Sequence, residues 1–194
     1  MNRSRLKVLG AGLALAALAA EGWLAAGSAA MGSALAAGGG GETGFPYARR
    51  GDSAWFALPP VTNRSDRDLE LLGPEVIGLP DGVELTGTAA FGRAATEPMP
   101  LALRDDSVRE GGFVDRSGTP ERLAPGQEGR RSLMVRLTLT GDAPVRVEGC
   151  RVVYRQDGVT FRQDTPCAFV MGADDPEWRT FPPYATPGAP TPGH

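Results

Sequence analysis

The sequence predicts an all-β domain, an antiparallel sandwich of about seven or eight short strands. Three observations carry that expectation. Apolar residues recur at a spacing of two rather than about 3.6. Gly and Pro punctuate the chain about every ten residues. No window shows the apolar stripe of an amphipathic helix.

The chain opens with a leader over residues 1–37, read as a signal peptide or an N-terminal membrane anchor with a helical apolar segment. Arg3, Arg5 and Lys7 precede an apolar run over 8–20, which Glu21 ends. A carboxylate in mid-bilayer costs roughly 2–3 kcal/mol on insertion scales. A continuous helix over 6–37 would run about 48 Å, beyond the ~30 Å hydrocarbon core. Both points favour cleavage, and small-x-small sites end at Ala19, Ala30 and Ala36. The alternative is an uncleaved anchor with its basic flank inside. Either way the remainder is expected to be secreted or attached to the outer face of the cytoplasmic membrane. Residues 38–52 read as a Gly-rich linker, 53–175 as the sandwich, and 176–194 as a Pro-rich tail unable to form ladders.

Within the sandwich, strands are expected near 55–61, 69–78, 83–89, 98–104, 130–140, 144–156 and 159–171, with a weaker one near 112–114. Leu133, Val135, Leu137 and Leu139 alternate with Met134, Arg136, Thr138 and Thr140, the pattern of a half-buried strand. Pro59-Pro60 suits an edge. Leu79-Pro80-Asp81-Gly82-Val83 carries a turn signature in which Pro presets φ and Gly accepts φ > 0. This spacing points to a sandwich of immunoglobulin-like type rather than a parallel sheet.

The clearest local structure lies over 145–171. Asp157-Gly158 between two strand-like runs is a two-residue hairpin signal. It sets Tyr154 opposite Phe161, Val152 opposite Gln163 and Cys150 opposite Thr165. The apolar parity changes at Gly149, which reads as a bulge. A second irregularity near Thr165-Pro166 would bring Cys167 opposite Cys150. A Cys150–Cys167 disulfide is therefore expected in an exported chain. A redox pair lacks C-x-x-C spacing here, and free thiols are the remaining alternative.

Composition removes several chemistries. The only histidine is His194, the last residue, so a Ser-His-Asp triad, a Cys-His dyad or a histidine-bearing metal site has no partner within the fold. Lys7 is the only lysine, which leaves no Schiff-base lysine in the domain. The chain carries a net charge of −3 and is more acidic without its leader, a poor match to nucleic acid. No cofactor is expected.

Acidic clusters invite weaker readings. Asp66, Asp68 and Glu70 alternate, but Arg64 and Arg67 interleave with them and the EF-hand spacing is missing. Asp174, Asp175 and Glu177 resemble a turn cluster at the domain exit. Asp105 and Asp106 are adjacent carboxylates, and neighbours on a strand face opposite ways, which argues against a glycosidase pair. Asn63-Arg64-Ser65 is a formal glycosylation triplet that reads better as a turn. Trp55 and Trp178 read as packing residues rather than sugar platforms. Met99, Met134 and Met171 read as core filling rather than copper ligands.

Val61-Thr62-Asn63-Arg64-Ser65, Leu69-Glu70-Leu71-Leu72-Gly73, Leu123-Ala124-Pro125-Gly126-Gln127 and Val152-Val153-Tyr154-Arg155-Gln156-Asp157-Gly158 give residues 56–171 a further likeness. The domain resembles a family of exported actinobacterial proteins with an N-terminal signal or anchor and an immunoglobulin-like β domain. That resemblance implies no activity. The expectation is a non-enzymatic envelope module that binds or supports a protein or envelope component. The alternatives are a calcium- or carbohydrate-dependent adhesion module and a carboxylate-only hydrolase.

Overall fold

The computed structural model describes residues 29–39, 41–92 and 101–172. In chain order these form β1 (Ala30–Met31), β2 (Leu35–Ala37), β3 (Glu42–Phe45), β4 (Ser53–Ala57), β5 (Val61–Asn63), β6 (Leu69–Val76), β7 (Val83–Gly92) and β8 (Ala102–Arg104). Helix α1 (Asp105–Glu110), β9 (Glu121–Leu123), β10 (Arg131–Leu139), β11 (Val145–Gln156) and β12 (Val159–Met171) follow. The all-β expectation holds. One sheet has six strands, ordered β1-β12-β11-β6-β9 with β3 also on β12; a second has four, ordered β7-β10-β4-β8; β2 and β5 form a two-stranded pair.

The two larger sheets bury their inner faces in one core. Phe56, Val135, Leu137 and Leu139 of the four-stranded sheet meet Val147, Val152, Tyr154 and Phe169 of the six-stranded one. The Phe56 and Phe169 rings stack at 4.9 Å between centroids, a contact worth about 1 kcal/mol beyond its buried area. The alternation on β10 is as the spacing predicts, with Leu133, Val135, Leu137 and Leu139 all buried inward. Met134 is buried too, on the opposite face, where it joins Ala57, Ala89 and Phe91 under Trp55, Leu103, Val108 and Phe113. The four-stranded sheet is thus covered on both faces. Met134 and Met171 fill core space, while Met99 lies outside the described residues.

The β11–β12 hairpin follows the predicted register, with Tyr154 opposite Phe161, Val152 opposite Gln163 and Cys150 opposite Thr165. Asp157 and Gly158 take φ of 49° and 78°, as a two-residue turn matched to the strand twist requires. Tyr154 and Phe161 stack at 5.4 Å. The register shifts between Glu148 and Cys150, where Gly149 has φ 95°. Glu148 pairs with Ala168 and Cys150 with Thr165, so both strands are irregular there. The result brings the Cys150 and Cys167 Cα atoms to 5.7 Å, and the disulfide forms. In the chain-entropy model a loop of this size contributes about 3 kcal/mol.

Three departures from the sequence reading stand out. First, the folded domain begins upstream of Ser53. Strands β1 and β2 lie in the stretch read as leader, and β3 lies in the stretch read as linker. β1 and β3 run parallel to β12, and β2 runs antiparallel to β5. No alternating pattern marks them: β1 and β3 are held by backbone pairing to β12, and side chains of the hairpin hold the start of β2. The Tyr154 hydroxyl accepts from Ala34 N–H at 3.1 Å. Gln163 accepts from Leu35 N–H at 2.9 Å and donates to Leu35 C=O at 2.6 Å. Leu35 is buried in the main core. A cut after Ala36 would strip Leu35 from that core, whereas cuts after Ala19 or Ala30 leave it in place.

Second, α1 occupies a stretch where no helix is expected. Asp105 and Asp106 sit in its first turn and Arg109 in its last, charges that suit the helix dipole. None of its residues is fully buried, so it carries no apolar stripe to read. Third, residues 112–114 form no strand; instead Asp115 makes an isolated bridge with Phe91, and β9 forms at Glu121–Leu123. No described helix is long and apolar enough to cross a membrane. The expected leader helix (its run over 8–20), the tail 176–194, Asp174, Asp175, Glu177 and Trp178 lie outside the described residues.

Candidate functional site

Asp66, Asp68, Glu70 and Asp105, among the acidic residues singled out from the sequence, are engaged by arginine. Asp68 accepts from Arg122 Nε and Nη2 at 3.0 and 2.6 Å. Glu70 accepts from Arg155 at 3.0 and 2.5 Å. Asp66 lies 3.7 Å from Arg67, whose guanidinium also meets Asp157. The three carboxylates therefore turn to separate partners, and no group of three or more His, Cys, Asp or Glu gathers as a metal site among the described residues.

Asp105 is the most constrained acid. Arg136 grips both of its oxygens, with Nε at 2.8 Å from Oδ1, and Trp55 Nε1 donates to Oδ1 at 2.9 Å. The Arg136 hydrogen bonds hold its carboxyl below the ordinary value of 3.8; partial burial opposes this, and the Arg136 charge, the Trp55 bond and Arg109 add to the lowering. The same bond raises Arg136. A carboxyl kept ionised and fully bonded is a brace, not a proton donor. Asp106 accepts from the Ser107 N–H at 2.9 Å, within its own helix turn. The pair does not converge.

Asn63 is fully buried, and its amide organises the turn after β5. It donates to the Arg67 and Leu123 carbonyls at 2.7 and 3.1 Å, and accepts from Ser65 N–H and Oγ. The formal glycosylation triplet is thus a turn, as its residues suggest. Trp55 packs edge-on against Phe91 at 5.4 Å, a packing role.

A feature not read from the sequence is a cleft of about 410 Å³ at one end of the four-stranded sheet. Gly92, Arg116, Pro120, Glu121, Arg122, Gln127, Arg130 and Arg131 line it. Its floor is the last residue of β7 and the first of β10, since Arg131 pairs with Gly92. One wall is the loop from Asp115. That loop is stitched to β7 by Asp115, whose Oδ1 accepts from Ala90 N–H at 3.2 Å and Ser117 N–H at 2.9 Å. Burial pushes the Asp115 carboxyl up, but the donors from Ser117, Ala90 and Arg116 outweigh it and leave the group below its ordinary value. The other wall is β9. Glu121 accepts from Arg130 N–H at 2.7 Å and Arg131 N–H at 3.2 Å, which fixes β9 against the start of β10.

The four arginines differ in employment. Arg131 braces the loop by donating to the carbonyls of Arg116 and Thr119. Arg122 is paired with Asp68. Arg116 and Arg130 are exposed and make no salt bridge among the described residues. Arg116 lies across Gly92, where a Cβ would stand 3.5 Å from its Nε. The only sequence trace of this cleft is the Arg130-Arg131 doublet before a strand; Arg116 and Arg122 are brought to it by the fold.

No family model matches the chain. No curated protein matches it either. Among solved structures it is similar to one titled "Structure of Vibrio cholerae VesB protease", at a TM-score of 0.33 and 10% identity, covering 71% of this chain and 32% of that one. The chain spans about a third of that protein's length, and a likeness of this size carries no argument about fold or activity.

Proposed function

We propose that this chain is a non-enzymatic module of the cell envelope, exported or held at the outer face of the membrane by its leader. In this reading its sheets form a sandwich of immunoglobulin-like type, akin to the exported actinobacterial proteins it resembles. It binds an envelope component through the loop end that carries the arginine cleft. One observation carries the reading. The described candidate acids are tied to arginine, tryptophan or their own backbone, while Arg116 and Arg130 stand without an acidic partner among the described residues. The groups at hand suit recognition better than proton transfer. The disulfide supports an oxidising location. The calcium-dependent and carboxylate-only hydrolase alternatives draw less support, because their candidate carboxylates among the described residues are engaged elsewhere.

Cell fractionation of the full chain with thiol alkylation tests this. The proposal expects the protein in the envelope or secreted fraction with Cys150 and Cys167 resistant to alkylation until reduced. Recovery in the cytosol with both thiols alkylated would overturn it.

A further inference from the structure

We propose that the cleft between β9, the start of β10 and the loop after Asp115 binds a phosphoester anion, with Arg116 and Arg130 as its principal donors. The inference rests on the binding part of the reading above and not on the location.

Charge is the first argument. The chain as a whole is acidic at −3, yet four guanidinium groups line one concavity. Glu121 also lines it, but its two oxygens face the Arg130 and Arg131 backbone N–H groups, and Arg122 is offset by Asp68. Against Glu121, Asp68 and the ionised Asp115 of the wall, the four guanidinium groups leave a positive excess, and Arg116 and Arg130 carry no acidic partner among the described residues. Donor geometry is the second argument. A planar guanidinium offers paired N–H groups that fit two oxygens of one phosphate, and two such forks suit a tetrahedral group. Rigidity is the third. Asp115 and Arg131 hold the loop to the sheet, so Arg116 is carried on a fixed wall rather than a loose one. Size is the fourth. At about 410 Å³ the cleft exceeds a bare phosphate, so there is room for an attached polyol or sugar.

The ester could come from a small metabolite or from a phosphate-bearing polymer, and the test separates these. The full chain, purified at fixed ionic strength, is titrated calorimetrically with glycerol 3-phosphate, poly(glycerol phosphate), glucuronate and a DNA oligonucleotide. The expected result is binding of glycerol 3-phosphate in preference to glucuronate, weakened at least about tenfold in the Arg116→Gln/Arg130→Gln double variant. Tighter binding of the polymer assigns the source as polymeric; equal binding per phosphate assigns it to the free ester. An Arg49→Gln/Arg50→Gln control lies at the far end of β10, since Gly51 bonds Leu139, and should leave binding unchanged. The proposal is overturned if glucuronate binds as well as the phosphoester. Equal loss in the control would show only general charge attraction and also overturn it. Preference for the oligonucleotide would replace it with a nucleic-acid site. Absence of any phosphoester binding overturns it too, while leaving the fractionation result standing, so the two readings fail separately.

Discussion

The outer face of the six-stranded sheet and the cleft at the end of the four-stranded sheet use the same residue in opposite ways. On the outer face, arginines meet carboxylates on the same, the neighbouring or the next-but-one strand. Arg155 meets Glu70, Arg162 meets Glu75, Arg151 meets Asp164, and Arg146 meets both Glu42 and Glu148. These pairs tie the face together, and each guanidinium has a carboxylate partner. In the cleft, two guanidinium groups gather beside braces and have no acidic partner among the described residues. The contrast teaches that arginine content alone says little here. What distinguishes the two regions is whether each guanidinium has a partner within its own fold.

If that contrast is real, stability should fall in a graded way as arginine pairs are removed. The largest effect is expected at Asp105. Replacing it with Ala leaves the half-buried Arg136 guanidinium and the Trp55 N–H without their acceptor. The cost should be about 1–2 kcal/mol by urea unfolding, reduced from a buried pair because both side chains keep partial solvent access. Its pH dependence has a definite sign. Asp105 is held below 3.8 in the folded state, so its contribution is present above that value and is lost as pH falls below it. The gap between wild type and Asp105→Asn should therefore close as unfolding is measured at progressively lower pH under 3.8. A gap that widens on acidification would remove the brace from the account.

A smaller effect is expected on the outer face. Arg155→Ala should cost roughly 0.5 kcal/mol, shrinking further in high salt, because both partners are well exposed. A cost above about 2 kcal/mol would mean the ladder, not the core, orders the sheet. The smallest effect is expected in the cleft. Arg116→Gln with Arg130→Gln should change stability by less than about 0.5 kcal/mol, or raise it slightly by relieving repulsion. A large loss there would make these residues structural and erase the contrast.

The hairpin was legible because local rules agree there. Asp157-Gly158 sets the turn, the parity change marks the bulge at Gly149, and two cysteines flank one loop. The core strand β10 was legible from its period of two. The N-terminal strands were not, since Ala, Gly and Ser give no period. Their order comes from pairing with β12 and β5 and, around Leu35, from a hydroxyl and an amide about 120 residues away in sequence. Helix α1 was missed because it buries nothing fully. The cleft was hidden for a related reason. Arg116, Arg122, Arg130 and Arg131 belong to a loop, a strand, a turn and a second strand, and tertiary contacts bring them together: the Asp115 bridge to Phe91, the Arg131 bonds to the loop carbonyls and the Glu121 bonds.

Site-resolved NMR of the arginine side-chain Nε–Hε groups tests the central claim most directly. On titration with glycerol 3-phosphate, the signals of Arg116 and Arg130 should shift and saturate together, while those of Arg151, Arg155 and Arg162 stay in place. Shifts spread evenly over the outer-face arginines, or none at Arg116 and Arg130, would contradict it.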